Sequence, residues 1–218
     1  MEHSQVTTFF HEFGHLMHHI IGGQQQQWAA FSGVATEWDF VETPSQLLEE
    51  WAWKPETLSA FAKNSEGKAI PSELIDSLKA ASEFGKAIHA QQQMFYARLS
   101  LDLHNKDMSK KDPVKVANDI QKDASPWQVV DDTFMLHSFG HLDGYSALYY
   151  TYMWSLVIAK DIFAEINGQE TPKQEKASAR KYMTAILKPG GSQPAADMVQ
   201  EFLGRPFNAE HFEAWLKQ

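Results

Sequence analysis

The sequence contains no cysteine among its 218 residues. Disulfide bonds and thiolate metal ligands are therefore excluded, and any bound metal ion must be held by histidine, aspartate, glutamate or backbone oxygen. The chain also lacks a run of about 18 apolar residues, and its N-terminal stretch lacks the basic and apolar segments of a secretory signal. We therefore expect a cytoplasmic location and no membrane partner.

Positive charge is scarce in this protein. Nineteen Lys and Arg residues stand against 28 Asp and Glu residues, which gives a net charge of −9. Nucleic acids and anionic membranes are bound by clusters of Lys and Arg, so neither is predicted as a partner. The composition, 43% hydrophobic and 22% charged, is typical of a globular protein, and the chain is long enough to bury a substantial core.

Sustained alternation of apolar and polar residues, the pattern of a half-buried strand, is also missing. Apolar residues instead recur at three- and four-residue spacing through most of the chain, which is the helical period. We predict an all-α fold with little or no β-sheet, forming a single domain over residues 1–218. Thr7 or Thr8 is predicted to cap the first helix, and Gly22 with Gly23 to end it after Ile21.

Pro, Gly and apolar spacing locate the remaining predicted helices. The predicted helical segments after the first one are 42–54, a short helix around 55–63, 71–105, 113–122, a glycine-bearing turn and long helix within 137–165, and two short helices within 194–218.

One short segment, FFHEFGHLMHHIIGG at 9–23, carries four histidines and a glutamate. His11, Glu12 and His15 form the pattern H-E-x-x-H. In a helix, residues four apart lie on one face about 6 Å apart, so both imidazoles can reach one ion. Glu12 follows His11 and so projects about 100° further round the helix axis, where it can approach a metal-bound water as general base.

A catalytic zinc ion usually has three protein ligands and keeps a fourth position for water. His18 lies too far along the helix to converge with His11 and His15, so we expect His18 and His19 to be core or outer-contact residues. With no cysteine, the third ligand must be His, Asp or Glu, and among the acidic candidates Glu42 begins a helix that could fix its carboxylate against the first one. Spacing alone leaves several downstream candidates open: Glu37, Asp39, Glu42, Glu49 and Glu50.

Four sequence blocks, in order, resemble the thimet oligopeptidase family of zinc metallopeptidases, which includes neurolysin and oligopeptidase A. The blocks are HEFGHLMHHI, FSGVATEWDFVETPSQLLEEWAW, GHLDGYSALYYTYMW and LKPGGSQPAADMVQEFLGRPF. The resemblance implies a helical zincin-type catalytic domain that binds one Zn²⁺ ion per chain. It also implies a metalloendopeptidase or oligopeptidase activity that hydrolyses short peptides and spares folded proteins.

The resemblance also implies roles for individual residues. His11, His15 and Glu42 match the family's zinc ligands, and Glu12 matches its general base. His141, Tyr145 and Tyr152 match groups that contact the substrate, and the two tyrosine hydroxyls are suited to stabilise an oxyanion. We expect Tyr145 and Tyr152, seven residues apart, to share one helical face, and Tyr149 and Tyr150 to belong to the core. Asp39 is a further candidate, as the acceptor for a ligating imidazole.

Typical relatives are much longer and carry a large helical region before the zinc helix. The chain could therefore be part of a longer protein, a compact peptidase, or a zinc- or peptide-binding fragment that needs a missing half or a partner for activity. Surfaces that the missing region would cover should be apolar, so we predict a homo-oligomer, most simply a two-fold homodimer.

Overall fold

The computed structural model describes residues 1–217, and it folds this part of the chain into eleven α-helices with short 3₁₀ and π-helical segments. The described residues contain no β-strand, and their single β-bridge joins Lys63 to Ala69. The prediction of an all-α fold is confirmed. The described chain divides into two compact units: unit 1 comprises residues 1–84 together with those from 155 onward, and unit 2 comprises residues 85–154. The single-domain organisation stays a prediction.

The helices follow the chain order. They are α1 His3–Gln25, α2 Thr43–Glu49, α3 Pro55–Phe61, α4 Ser72–Glu83, α5 Lys86–His104, α6 Pro113–Ala124, α7 His141–Gly144, α8 Thr151–Asn167, α9 Pro172–Tyr182, α10 Ala195–Leu203 and α11 Glu210–Leu216. A 3₁₀ segment, Glu50–Trp53, follows α2 directly, so the helical segment predicted over 42–54 is present in two parts. Helix α9 was not predicted.

The predicted limits of α1 were wrong at both ends. The helix begins earlier, because the backbone N–H of Glu2 donates to the side chain of Gln5 (2.9 Å) at its first turn. Thr7 lies inside the helix, and its hydroxyl donates to the Ser4 carbonyl one turn back (2.8 Å). At the other end α1 continues through Gly22, whose missing side chain lets the backbone of Gly33 approach. Tertiary packing therefore overrides the weak helix propensity of the two glycines.

The long helix predicted over 71–105 is interrupted. Helix α4 ends at Glu83 and α5 begins at Lys86. Between them Gly85 has φ +77°, a left-handed conformation that favours glycine and cannot continue a right-handed helix. The apolar spacing runs through this break, which is why the periodicity alone did not reveal it.

The core of unit 1 lies among α8, α9, the π-helical turn Met183–Leu187 and α10. Ile162, Ile186 and Met198 are fully buried there, and Phe40 and Leu47 from the α2 region join them. This core therefore supports the segment that carries the acidic candidates for metal binding.

An ion pair between buried Asp161 and partly exposed Arg205 holds the segment after α10 against α8. Asp161 of α8 is fully buried, and its two carboxylate oxygens accept hydrogen bonds from the guanidinium of Arg205 (2.6 and 2.8 Å). The backbone N–H of Asn208 donates to the same carboxylate (3.1 Å). The charge of Asp161 is therefore compensated, as burial requires.

The core of unit 2 forms between α5 and α6. Phe95 and Leu99 of α5 pack with Ala117 and Ile120 of α6, and all four side chains are buried. Met135, Leu136 and Phe139, from the segment before α7, pack against this cluster. None of the described helices is both long and apolar enough to cross a membrane. Cytoplasmic residence stays a prediction.

Candidate metal centre

Helices α1 and α2 meet backbone to backbone at Gly14. A Cβ atom on residue 14 would lie 2.6 Å from the Cα of Ser45 and 2.7 Å from the carbonyl oxygen of Pro44, which is closer than real Cβ contacts. Any larger residue at position 14 would push the helices apart. The glycine of H-E-F-G-H thus brings the face of α1 that carries the histidines onto α2.

Three side chains converge where the two helices meet. The Oε2 atom of Glu42 lies 3.2 Å from Nε2 of His11 and 3.1 Å from Nε2 of His15. The ligand atoms of these three residues all lie within 4.8 Å of one another, and no other such group occurs in the described part of the chain. Glu42 is buried, with 3% of its surface exposed. The predicted ligand set is therefore brought together in one place.

The donor set and its spacing suit zinc. Two imidazole nitrogens and one carboxylate form a ligand set found in catalytic zinc sites. Zinc–ligand bonds of about 2.1 Å at a tetrahedral angle separate two ligand atoms by about 3.4 Å. The N–O distances of 3.1 and 3.2 Å are close to that value. His11, His15 and Glu42 therefore fit a zinc ion and would hold it as three protein ligands.

The other acidic candidates for the third ligand have different partners. The carboxylate of Glu37 accepts from the backbone N–H of Ala195 (3.0 Å) and so caps the first turn of α10. Glu50 pairs with Lys160 (2.5 Å). Asp39 lies outside the three-residue group, and its backbone carbonyl accepts from the hydroxyl of Ser155 (2.9 Å).

Glu49 contacts the metal centre from its outer side. Its Oε1 atom lies 2.6 Å from Nδ1 of His11, the nitrogen that faces away from Glu42. From the sequence, Glu49 was a candidate only for the third ligand, and Asp39 was the candidate acceptor for an imidazole. The separation of seven residues between Glu42 and Glu49, two helical turns, was the signal that both carboxylates could face α1. The role given to Asp39 stays a prediction.

Ser45 fixes the orientation of the Glu42 carboxylate. Its hydroxyl lies 3.1 Å from Oε2 of Glu42 and 2.8 Å from the backbone carbonyl of the same residue, and Ser45 is fully buried. This contact was not predicted from the sequence. At the start of a helix, a hydroxyl three residues after a carboxylate can reach back to that carboxylate. The spacing of Glu42 and Ser45 could therefore have indicated this contact.

The two carboxylates change the protonation of His11. Burial alone would lower the pKa of His11, but hydrogen bonds to Glu42 and Glu49 outweigh this effect and raise the pKa to about 9. The charged imidazolium is therefore favoured in the metal-free protein, and a metal ion has to displace the proton on Nε2.

The next histidine on α1, His18, is a core residue. Its side chain is fully buried, and neither ring nitrogen has a hydrogen-bond partner. Burial, together with the neighbouring His15 and His19, lowers the pKa of His18 to about 4, so the ring is neutral. Nδ1 of His19, in contrast, lies 3.2 Å from the hydroxyl of Ser32. Neither residue belongs to the three-residue metal group.

Glu12 is exposed to solvent and stays outside the ligand group. It follows His11 directly on α1, so it projects about 100° round the helix from that ligand. A carboxylate beside the candidate ligands but not among them would be placed to exchange protons with a molecule bound at this site.

The aromatic residues predicted to contact substrate form a cluster within unit 2. The ring of His141 lies 5.5 Å from that of Tyr145 and 5.8 Å from that of Tyr152, and the two tyrosine rings are 5.5 Å apart. They do not share a helical face as expected, because α7 ends at Gly144 and α8 begins only at Thr151. A folded-back loop, rather than helix periodicity, brings them together.

Ser100 of α5, which is buried, holds the loop that carries Tyr145. Its hydroxyl donates a hydrogen bond to the backbone carbonyl of Ser146 (2.5 Å), a residue that adopts φ +49°. Tyr149 is buried as expected, its hydroxyl donates to Gln93 (2.8 Å), and burial with nearby tyrosines raises its pKa to about 12. Ser100 was not identified from the sequence.

Comparison with known proteins decides the family. The sequence pattern of peptidase family M3 matches residues 1–217. The chain belongs to peptidase family M3. Similar proteins include oligopeptidase A of Escherichia coli (31% identical, covering 93% of this chain), saccharolysin of Saccharomyces cerevisiae (32%, 97%) and thimet-like oligopeptidase of Dictyostelium discoideum (34%, 97%). The predicted resemblance is confirmed.

This M3 chain is short beside its relatives. The matched region spans 30% of the length of oligopeptidase A and of saccharolysin, and 32% of the thimet-like oligopeptidase. The H-E-x-x-H helix and the third-ligand segment both lie within the matched region.

Proposed function

We propose that this chain carries the catalytic part of a zinc-dependent metallopeptidase that hydrolyses peptide bonds in short oligopeptides. The observation that carries the proposal is the convergence of His11, His15 and Glu42 within 4.8 Å in a member of family M3. These three side chains would hold one Zn²⁺ ion per chain. When bound, the ion supplies Lewis acidity that polarises the scissile carbonyl and lowers the pKa of water.

Glu12 is the general base in this proposal. Its exposed carboxylate accepts a proton from the attacking water, and the protonated side chain then donates this proton to the amine that leaves. Burial of Glu42 keeps the third ligand away from bulk water, whereas exposure of Glu12 lets it meet the substrate. The two glutamates thus divide metal binding and proton transfer between them.

Tyr145 and Tyr152 are proposed to donate hydrogen bonds to the oxyanion that forms on the scissile carbonyl. Their neighbour His141 is proposed to contact the substrate. Support for this part comes from the cluster that the three rings form within unit 2 and from the family resemblance.

A cleavage assay tests the proposal. The chain would be incubated with a library of short quenched peptides, with added zinc and with a chelator, beside the variant Glu12→Gln. This variant keeps the size of the side chain but cannot accept the proton. We expect chelator-sensitive cleavage by the parent chain, and zinc binding without appreciable cleavage by Glu12→Gln.

Two results would contradict the proposal. Peptide cleavage by Glu12→Gln at the parent rate would reject the general base. Absence of zinc in the parent chain would reject the metal centre. Stoichiometric zinc without any cleavage would favour a binding fragment that needs the rest of a longer chain, or a partner, for catalysis.

We further propose that the chain associates with a second copy of itself through one face of α1. Phe9, Phe13, Leu16 and Ile20 are each at least 42% exposed, and their spacing of four, three and four residues places them on one stripe. The rings of Phe9 and Phe13 stack at 6.1 Å. An exposed apolar stripe of this kind favours association, and a two-fold dimer pairs the same stripe from both copies.

Light scattering over a concentration series tests this association. We expect a dimer for the parent chain and a monomer for the double variant Phe9→Ser with Phe13→Ser. Phe84→Ser is the matched control, because Phe84 is 93% exposed but lies outside the stripe. A parent chain that stays monomeric at every concentration would overturn the proposal.

A further inference from the structure

The two histidines of the metal centre differ at the ring nitrogen that points away from it. Nδ1 of His11 lies 2.6 Å from Oε1 of Glu49. Nδ1 of His15 is buried and has no hydrogen-bond partner. Both rings direct Nε2 toward the same oxygen of Glu42, so the difference is confined to this outer contact.

A neutral imidazole carries its proton on one nitrogen and offers a lone pair on the other. A carboxylate accepts hydrogen bonds and cannot donate them when ionised, so Glu49 favours the form of His11 that is protonated on Nδ1. This form leaves the lone pair on Nε2, the atom within 3.2 Å of Glu42. We infer that Glu49 is a positioning residue that holds the His11 ring in orientation and in the tautomer that binds the metal.

The location of Glu49 supports this role over that of a ligand. It is the last residue of α2, two turns after Glu42, and it lies outside the three-residue metal group. Its side chain is 35% exposed, so it does not depend on His11 to compensate a buried charge. Carboxylates in such positions orient the ring and raise the basicity of the ligating nitrogen.

The inference rests on the proposed zinc centre. Its first test is the zinc affinity of the 218-residue chain. Affinity would be measured by competition with a chromophoric chelator for the parent, Glu49→Gln and Glu49→Ala. We expect Glu49→Ala to bind zinc about 10- to 100-fold more weakly than the parent. Glu49→Gln should lose less, because its amide oxygen still accepts from Nδ1. Glu56→Ala, which removes an exposed carboxylate on α3, should bind like the parent.

A second readout separates positioning from a contact that merely joins α1 to α2. In the zinc-loaded parent, nitrogen-edited NMR should show a slowly exchanging Nδ1 proton on His11, shifted downfield by the carboxylate. This resonance should be lost to solvent exchange in Glu49→Ala, while circular dichroism of the metal-free variant shows the same helix content as the parent. If Glu49→Ala did not fold, the same loss of downfield shift would be sought in Glu49→Gln.

The outcomes distinguish this inference from the proposed function. A parent chain that binds no zinc would overturn both. A parent that binds zinc, with Glu49→Ala within about twofold of its affinity or with an unchanged Nδ1 resonance, would overturn the role of Glu49 alone.

Discussion

The Cα atom of Ser45 lies only 2.6 Å from the position that a Cβ atom on Gly14 would occupy. This contact joins α1, which carries His11 and His15, to α2, which follows Glu42, and these three residues form the candidate metal centre. It also brings Glu42 and Glu49 to opposite sides of the His11 ring. The geometry of the metal centre therefore depends on the absence of one methyl group.

Gly14→Ala should accordingly disrupt the metal centre. The added methyl meets backbone atoms, which cannot rotate away, so we expect a loss of about 1–3 kcal/mol in the free energy of unfolding. Zinc affinity should fall as well, because Glu42 moves away from the histidines. Urea denaturation and chelator competition measure the two effects. Gly140→Ala is the control, since nothing lies within 4 Å of its added Cβ. Parent-like zinc affinity in Gly14→Ala would contradict the prediction.

Two glutamates near the start of α2 should respond differently to removal of the carboxylate. Glu42→Ala should abolish stoichiometric zinc binding, because it removes one of three ligands. Glu37→Ala should retain zinc and lose only about 1 kcal/mol of stability, because that carboxylate caps α10. Metal analysis after gel filtration, with thermal denaturation, distinguishes them. Full zinc retention by Glu42→Ala would reject it as a ligand.

Removal of the hydroxyl group should have different effects at three tyrosines of the aromatic cluster in unit 2. Where the chain cleaves peptides, Tyr145→Phe and Tyr152→Phe should each lower kcat by about 10²–10³, the usual cost of losing one oxyanion donor. Tyr149→Phe should leave kcat unchanged and cost about 1 kcal/mol of stability, because its hydroxyl is bonded to Gln93. Steady-state kinetics provide the measurement. An equal effect of all three substitutions on kcat would indicate a packing role instead.

The buried His18 predicts a pH dependence of stability. Its pKa is about 4 in the folded protein, against 6.5 for a histidine in an unfolded chain, so the unfolded chain binds this proton first as pH falls. The stability that depends on neutral His18 is fully present above pH 6.5 and is lost progressively between pH 6.5 and 4. A shift of this size corresponds to about 3 kcal/mol.

His18→Leu should remove that dependence. Above pH 7 the variant should be at least as stable as the parent, because two buried nitrogens without partners are removed. The advantage of the variant should then grow as pH falls toward 4. Urea denaturation of both metal-free proteins at several pH values tests this. Parallel pH profiles for parent and variant would show that His18 does not titrate as expected.

Local pattern was a good guide to helix existence and a poor guide to helix limits. The threonines at 7 and 8 and the glycines at 22 and 23 have the chemistry of helix ends, yet all four lie inside α1. Their local preferences amount to about 1 kcal/mol each, and packing of the helix against the rest of unit 1 outweighs them. At Gly85 the opposite holds, since a left-handed residue ends a helix that the apolar spacing would continue.

The sequence by itself determined the chemistry of the metal centre. The absence of cysteine limited the ligands to nitrogen and oxygen, and the spacing of His11 and His15 placed two imidazoles on one helical face. Spacing left the third carboxylate open and the family resemblance pointed to Glu42, but only the tertiary structure shows that this carboxylate meets the two imidazoles. Five acidic candidates are close in sequence: Glu37, Asp39, Glu42, Glu49 and Glu50. The close approach of the α1 and α2 backbones at Gly14 accompanies a geometry in which Glu42 is the candidate that joins His11 and His15. Contacts between helices depend on packing, which no local spacing encodes.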